Sequence, residues 1–343
     1  MEDRIRFSIP RSKKFYYALI VLAILAVLPL LIRSDYIVGQ VFTLMIIFSL
    51  YAASWNLLAS SGQGSLGHAA FLGIGGFASA LIAIRTGLPP IVGLFLGSLL
   101  SAGIGFLIGL ACVRLKAWFL AMVTFGFSVI IVAIMVQFDH IFGGVTGFPT
   151  PAIAPQVLPF FYAVLIVVSV SMLAIFFIMK SKLGLAFKAI HDNELEARMV
   201  GINTAKYRLL AFVISTFFAG LAGGLYAETT LFVQNSIFEP SNSFLPLMMS
   251  VIGGLGTMEG PIIGSIIIVA INSFLPYTDR YLQVLGPLFP GVSNVGPPLR
   301  MLGLGLFLIL VVIFLPKGIT SLLQKGYKYL REDASKAKLN GKI

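Results

Sequence analysis

Residues 159–179 read PFFYAVLIVVSVSMLAIFFIM, and residues 180–203 continue the chain as KSKLGLAFKAIHDNELEARMVGIN. The first stretch contains no charged residue, and as a helix it is long enough to cross the ~30 Å hydrocarbon core of a bilayer. The second stretch carries charges of both signs and is the only long polar segment between two apolar runs of the sequence. Together they predict a membrane-spanning helix followed by a structured loop outside the bilayer.

The whole chain has the composition of an integral membrane protein. Of its 343 residues, 58% are hydrophobic and 11% are charged, whereas a soluble domain carries about 25% charged residues. Because lipid offers the backbone no hydrogen-bonding partners, the predicted fold class is all-α, a polytopic transmembrane helical bundle of about 8–10 spans. The first apolar run is too long for a signal-peptide core and is taken as a retained span. The candidate spans are 15–32, 36–59, 68–84, 91–113, 117–138, 159–179, 208–227, 244–258, 260–276 and 300–316.

The basic residues orient this bundle. With ten spans and a cytoplasmic N-terminus, 20 of the 24 Lys and Arg residues fall on the cytoplasmic side, as the positive-inside rule requires. Both termini are therefore predicted to be cytoplasmic, and residues 139–157 to lie outside. The net charge of +11 then faces anionic lipid and the cytosol, so no nucleic acid is needed as a partner. The predicted organisation is a basic tail (1–14), a transmembrane domain (15–316) with a cytoplasmic loop at 181–206, and a second tail (317–343).

Two glycine clusters interrupt the apolar runs. One is SGQGSLGH at 61–68 and the other is IGGLGTMEG at 252–260. The second separates the two short runs 244–258 and 260–276, which form either two spans or a re-entrant pair buried in protein. Since broken helices at corresponding places often line the path of a transporter, both clusters are candidates for the translocation path. The residues assigned to it are Gly64, Gly67, Gly254 and Gly256.

Two predicted spans carry a small residue at every fourth position. Such stripes allow helices to approach closely, and packing within this one chain is the favoured interpretation over a subunit interface. The stripes are Gly93, Gly97, Ser101, Gly105 and Gly109 in one span, and Ala211, Ser215, Ala219, Gly223 and Ala227 in the other.

Groups for catalysis or ion coupling are missing from the expected places. The sequence has no Walker A motif, so the chain is not expected to hydrolyse ATP itself. No metal-ligand spacing is present, and Cys112 lies within an apolar run, where it is interpreted as a packing residue. The acidic residues fall at or beyond the ends of the spans, which argues against an ion-coupled carrier. Any solute transport would then draw its energy from another protein, and the loop 181–206 is where such a protein could attach.

Several stretches resemble one family, the LivM-type permease subunits of branched-chain amino acid ABC importers. The resemblance rests on the loop AIHDNELEARMVGIN at 189–203 and covers about residues 36–275 in order. Further matching stretches are GQGSLGHAAFLGIGGF at 62–77, TFGF at 124–127, GGVTG at 143–147, LLAFVIS at 209–215, AGLAGGLYA at 219–227 and IGGLGTMEGPIIG at 252–264.

The resemblance implies a permease of the prokaryotic inner (plasma) membrane that works within a larger importer. Its implied partners are a second, LivH-like permease, two cytoplasmic ATPase subunits and a periplasmic or lipid-anchored binding protein. ATP would be used by those partner subunits, and no cofactor would bind this chain directly. The family's ATPase-coupling helix maps onto Ala189–Gly201, with Ala197 and Gly201 expected to face the ATPase. The coupling residues carried over are Ala189, Asp192, Asn193, Glu194, Ala197 and Gly201.

Three alternatives remain at this point. The solute could be a branched-chain amino acid or a related small amino acid, or it could be urea or a short-chain amide, since those permeases resemble LivM closely. An ion-coupled secondary carrier or a passive channel is a third reading, and an intramembrane enzyme is disfavoured because no catalytic set of residues is present.

Overall fold

The computed structural model describes residues 25–32, 34–112, 115, 117–143 and 146–285, together with 303, 305–306, 309–310, 313–314 and 318–320 near the C-terminus. Most of the predicted spans 15–32 and 300–316 and nearly all of both tails lie outside the described residues. Within the described residues the protein is a bundle of helices, and its only sheet there consists of two strands of two residues each. The all-α prediction is confirmed in this respect.

The helix bounds follow the apolar runs closely. Six helices of the described part are long and apolar enough to cross a membrane. They are α1 (Ile37–Ala59, π-helical over Ile37–Phe42), α2 (His68–Thr86), α3 (Pro90–Cys112), α4 (Ala117–Gln137), α6 (Val157–Lys180) and α9 (Thr204–Thr230). The other elements are α5 (Asp139–Phe142), β1 (Phe148–Pro149), α7 (Lys182–Asp192), α8 (Glu194–Met199), β2 (Phe232–Val233), a 3₁₀ turn (Asn235–Phe238), α10 (Pro240–Gly253) and α11 (Gly260–Leu285).

Helices α1, α2 and α9 form the centre of the bundle. In an 18-residue apolar stretch of each of these three helices, 61–67% is buried, whereas the share is 33% in α3, α4 and α6. Small residues bring the central helices together: a Cβ added at Gly223 of α9 would lie 1.8 Å from the Leu72 carbonyl oxygen of α2. Both small-residue stripes are buried, and Gly220 packs on Ser101 of α3. The interpretation of the stripes as packing within one chain is therefore confirmed.

One end of the bundle collects the loops that the charge pattern places in the cytoplasm. The Ser60 hydroxyl lies 3.5 Å from the Met179 sulfur at the end of α6, and Arg208 donates to the Leu115 carbonyl. The opposite end collects the loops predicted outside. There Arg85 reaches the Ile141 carbonyl, and β1 pairs antiparallel with β2. The predicted alternation of sides thus agrees with the contacts, whereas the orientation of the whole bundle in the membrane stays a prediction.

Helix α10 is too short to cross a bilayer. Its 14 residues extend about 21 Å, whereas a span needs about 20 residues. Its first turn is inside the bundle, because the Ser243 hydroxyl accepts a hydrogen bond of 3.1 Å from the Ala69 backbone N–H in the first turn of α2. The run 244–258 therefore forms a half-length helix packed in the bundle rather than a full helical span, and the longer α11 follows it.

Candidate coupling surface and mid-bundle junction

The coupling loop, residues 181–206, folds into two short helices rather than the single helix predicted over Ala189–Gly201. Asn193 separates α7 from α8 because its backbone is extended, at φ −158° and ψ 110°. Its side chain also caps α8: Asn193 Oδ1 accepts from the backbone N–H groups of Leu195 and Glu196 at 3.0 and 3.4 Å. An asparagine in this role satisfies two of the free N–H groups that every helix start exposes. Ala189 and Asp192 therefore belong to one helix, and Glu194 and Ala197 to the next.

A turn at Gly201 ends α8. Its φ of +85° is in the left-handed region, which glycine adopts without steric cost. The backbone N–H of Gly201 donates to the Arg198 carbonyl and that of Ile202 to the Ala197 carbonyl, each at 3.0 Å. These are the two hydrogen bonds of a Schellman motif. Gly201 lies beyond the helix, so it does not share a helical face with Ala197 as expected.

The outward side of α8 carries large apolar side chains beside the exposed Glu196 and Arg198. Leu195, Met199 and Val200 are 69%, 87% and 76% exposed, and the first two are four positions apart and so lie on one helical face. Ala197 is 3% exposed and packs against its own chain. The expectation that Ala197 faces a partner is therefore wrong, because the opposite side of the helix carries the apolar residues that this chain leaves uncovered.

An ionic cluster fastens α8 to the start of α9. Glu194 lies 3.6 Å from Arg208 and pairs with Arg198 within its own helix, and the Thr204 hydroxyl donates to Glu194 at 3.2 Å. Partial burial alone would raise the pKa of the Glu194 carboxyl, but the hydrogen bond from Arg198 and the charge of Arg208 outweigh it and hold this pKa below its usual value. Glu194 is therefore ionised at neutral pH, and α8 is held in place at the end of the bundle.

The segment 60–67 returns from that end into the bundle. It is hydrogen-bonded to three helices: Trp55 Nε1 of α1 donates to the Ser65 carbonyl at 2.9 Å, and the segment's own Gln63 Nε2 donates to the Arg208 carbonyl of α9 at 2.9 Å. On its third side the Thr124 hydroxyl accepts from the Leu66 backbone N–H at 3.2 Å. The segment therefore runs beside the last turns of α1, between α4 and α9.

At its inner end the segment starts α2 within a polar junction near the middle of the bundle. His68 Nε2 and the Ser54 hydroxyl of α1 are hydrogen-bonded at 2.9 Å, and the Ser215 hydroxyl of α9 donates to the Ser54 carbonyl. The Tyr51 ring stacks on the His68 ring with centroids 5.4 Å apart. Since the first turn of α10 also reaches this point through Ser243, two helices begin here, one entering from each end of the bundle. We call Tyr51, Ser54, His68, Ser215 and Ser243 the mid-bundle junction.

The second glycine cluster is held by the same end of α1. Asn56 accepts from the Gly256 backbone N–H at 2.9 Å and donates to the Thr257 carbonyl at 2.8 Å. Gly256, at φ +71°, has open space where a Cβ would stand, and Gly254, at φ +128°, is buried. Neighbouring residues of α1, Trp55 and Asn56, thus hold one glycine cluster each.

The four glycines assigned to the path differ in their surroundings. A Cβ added at Gly64 or Gly256 would meet nothing within 4 Å, whereas a Cβ on Gly67 would lie 1.7 Å from the Thr124 carbonyl oxygen. Gly254 packs against Gly318. Gly64 and Gly256 are therefore the two of the four with room beside them, and the assignment of all four to a path stays a prediction.

Several residues of these sites were not singled out from the sequence. Gln63 and Arg208 gave no signal beyond their type, and a polar side chain inside an apolar run is the one feature that could have pointed to Asn56. The position of Trp55 near the end of a predicted span is typical of an interfacial aromatic belt, but Trp55 is 6% exposed and hydrogen-bonded inside the bundle. A histidine beside a glycine cluster is typical of a surface or helix-end position; His68 does begin a helix, but it is 0% exposed.

Comparison with known proteins supplies the family. The family described as branched-chain amino acid transport system / permease component matches residues 37–314, which include all six long apolar helices, the coupling loop and both glycine clusters. The chain belongs to this permease family. It is thus a membrane permease, and the expected resemblance is confirmed.

Individual relatives agree with this permease family over most of the chain. The LivM high-affinity branched-chain amino acid transport permease of Escherichia coli K12 is 26% identical over 360 aligned residues, covering 96% of this chain and 79% of that protein. A probable LivM permease of Methanocaldococcus jannaschii is 24% identical, covering 73% and 77%. A probable LivH permease of the same organism is 33% identical over 102 residues, 29% of this chain and 30% of that protein. No solved structure matches the permease significantly.

Proposed function

We propose that this permease carries branched-chain or related small amino acids across the inner membrane as one subunit of an ATP-driven importer. It would pair with a second, LivH-like permease and receive its solute from a binding protein. Two cytoplasmic ATPase subunits would use the ATP, and this chain would bind no cofactor. The proposal is supported by the family match over residues 37–314 and by LivM relatives whose names state branched-chain amino acid transport.

The observation that carries the coupling part of the proposal is the exposed apolar face of α8. Large apolar side chains at the water-facing end of a membrane protein are costly unless a partner covers them. Leu195, Met199 and Val200 form such a face, and the ionic cluster at Glu194 holds it rigidly against the bundle. A rigid apolar surface of this kind is suited to fill a cleft on another protein, because binding then costs little conformational entropy.

The experiment replaces Met199 by Arg and co-purifies the permease with its ATPase subunits. Met199 is 87% exposed, so the change should alter the stability of the permease itself by no more than about 0.5 kcal/mol. A charge placed in a buried apolar contact should lower the ATPase affinity by about 2 kcal/mol or more, roughly 30-fold. Uptake of leucine, isoleucine and valine should fall with it.

The matched control is Leu88→Arg, which changes an exposed apolar residue (41% exposed) at the opposite end of the bundle. That variant should retain the ATPase subunits. If Met199→Arg retains them equally well and imports at the parental rate, α8 is not the docking helix. Ala197→Arg is unsuited to this test, because Ala197 is buried in its own chain and its replacement would disturb the fold.

A urea or short-chain amide importer is the second candidate within this class. The described residues include no carboxylate or amino-group clamp in the mid-bundle junction, whose side chains are hydroxyls and one imidazole. Selection among solutes is therefore assigned to the binding protein. Binding assays on that protein with leucine, isoleucine, valine and urea would separate the two candidates.

A further inference from the structure

We propose that Arg208 and Gln63 are positioning residues that connect the coupling loop to the segment 60–67, so that displacement of α8 reaches the mid-bundle junction through them. This inference rests on the proposed function, since it takes α8 as the helix that an ATPase moves. It adds the route by which that movement enters the bundle.

The first link joins α8 to Arg208. The Arg208 side chain is 7% exposed, lies 3.6 Å from Glu194 of α8, and donates to the Leu115 carbonyl at 2.8 Å. A buried guanidinium is costly to leave unpaired, so Glu194 and Arg208 should move together rather than separate. The planar guanidinium also resists sliding, because its donors are directed at fixed positions.

The second link joins the backbone of Arg208 to the segment 60–67. Gln63 Nε2 donates to the Arg208 carbonyl and to the Ser61 hydroxyl, at 2.9 and 2.8 Å, and Gln63 is 4% exposed. The segment also touches α7, since a Cβ on Gly62 would lie 3.4 Å from His191 Cα. The segment is therefore contacted by α7 of the coupling loop on one side and by Arg208 of α9 on another.

The segment itself lacks the helical hydrogen bonds that hold its neighbours in place. Residues 63–67 have no regular helical hydrogen bonding, and they are held by side-chain contacts from Trp55, Gln63 and Thr124. A piece of chain held in this way can take a second arrangement at lower cost than a packed helix can. Beside Gly64 there is open space, and the segment ends at His68 in the mid-bundle junction. A shift of the segment would therefore act on the point where α2 and α10 both begin.

The test compares Gln63→Met with Gln40→Met in the importer assembled with its ATPase subunits and binding protein. Both glutamines donate from Nε2 to a carbonyl of α9: Gln63 to Arg208 near its start and Gln40 to Thr229 near its end, at 3.4 Å. Methionine keeps the length of the side chain but removes the donor. Uptake of labelled leucine and hydrolysis of ATP are measured on the same preparation.

The expected result is a loss of coupling in one variant alone. Gln63→Met should still bind the ATPase subunits and hydrolyse ATP, but import at least about fivefold less leucine per ATP, the lower range of common coupling energies. Gln40→Met should keep the parental ratio. A variant that is merely unstable loses uptake and hydrolysis together. An unchanged ratio in Gln63→Met, or an equal fall in Gln40→Met, would overturn the inference. If the parental permease fails to bind ATPase subunits at all, the proposed function is what fails.

If Gln63→Met does not fold, a reversible cross-link tests whether the segment 60–67 must move during transport. Cysteines are introduced at Leu66 and Thr124 in a Cys112→Ser background, because the Leu66 backbone nitrogen lies 3.2 Å from the Thr124 hydroxyl oxygen. The disulfide between them would tie the segment to α4, so uptake should stop on oxidation and return on reduction by dithiothreitol. Full uptake by the oxidised protein, with the bond verified by mass spectrometry, would show that the segment need not move and would refute the route.

Discussion

Single residues at the end of α1 decide where both glycine clusters sit. Trp55 and Asn56 are adjacent in sequence and point about 100° apart around the helix, so they reach two different segments. Trp55 bonds Ser65 of the first cluster, and Asn56 bonds Gly256 and Thr257 of the second. One helix end thus fixes the relative position of both breaks in the apolar runs.

At the same scale, the two glycines of the first cluster should respond differently to alanine. A Cβ on Gly67 would lie 1.7 Å from the backbone oxygen of Thr124, whereas one on Gly64 would meet nothing within 4 Å. Because a backbone oxygen in the middle of α4 cannot rotate aside, Gly67→Ala should cost about 3 kcal/mol, the upper end of ordinary overpacking. Thermal unfolding in detergent measures this as a clear fall in melting temperature.

Gly64→Ala serves as the control for Gly67→Ala, since it changes the same residue type in the same segment. Its melting temperature should stay near that of the parent. Equal melting temperatures for both variants would mean that Gly67 does not approach the α4 backbone closely.

Among the elements, the loops sort into two ends of the bundle. The coupling loop, the segment 60–67 and Leu115 share one end, and α5, β1 and β2 share the other. Since the positive-inside rule places the coupling loop in the cytoplasm, the end with β1 should face outward. The half-length α10 then enters the bundle from outside and α2 begins opposite it, as broken helices do in transporters.

This arrangement predicts which cysteines a membrane-impermeant reagent labels in intact cells. Gln156, at the start of α6, and Asp192, in the coupling loop, are both exposed. A difference in their labelling would therefore not come from a difference in burial. Gln156→Cys should react from outside, and Asp192→Cys should react only after the membrane is made permeable. Labelling of Asp192→Cys in intact cells would show that the coupling loop faces outward and that the predicted orientation is wrong.

For the whole molecule, the position of the buried carboxylate bears on how transport is driven. The buried carboxylate of Glu228 is in the last turn of α9, at the end opposite the coupling loop, and the mid-bundle junction has no carboxylate among the side chains that form it. Ion-coupled carriers keep titratable or coordinating groups at mid-depth, and the titratable side chains of the junction are Tyr51 and His68. The proposal that the permease is driven from its coupling loop therefore rests on the family match and on the exposed apolar side chains of α8.

The permease alone in liposomes should therefore not accumulate leucine under a pH or sodium gradient. Uptake should appear when the second permease, the ATPase subunits, ATP and loaded binding protein are added. Accumulation by this chain alone, driven by an ion gradient, would support the secondary-carrier reading and remove the importer proposal. An ATP-loaded vesicle lacking the binding protein is the matching control for leakage.

The sequence by itself determined the helices, their order and the family. Long apolar runs have one stable form in lipid, so the run 159–179 and its neighbours predicted the bounds of six helices to within a few residues. The lysine and arginine distribution predicted which loops share an end, and the stretch 189–203 identified the permease family. These features are local, and each is visible in a continuous stretch of residues.

Only the tertiary structure decided which side chains meet. The contacts of Gln63 with Arg208, of Asn56 with Gly256 and of Ala69 with Ser243 join residues 145, 200 and 174 positions apart. No local pattern encodes such pairs, because they depend on how the helices pack. The same reason explains the error at Ala197: the spacing of small residues marks a face where something approaches closely, but packing decides whether the approaching surface is a partner or the chain's own bundle.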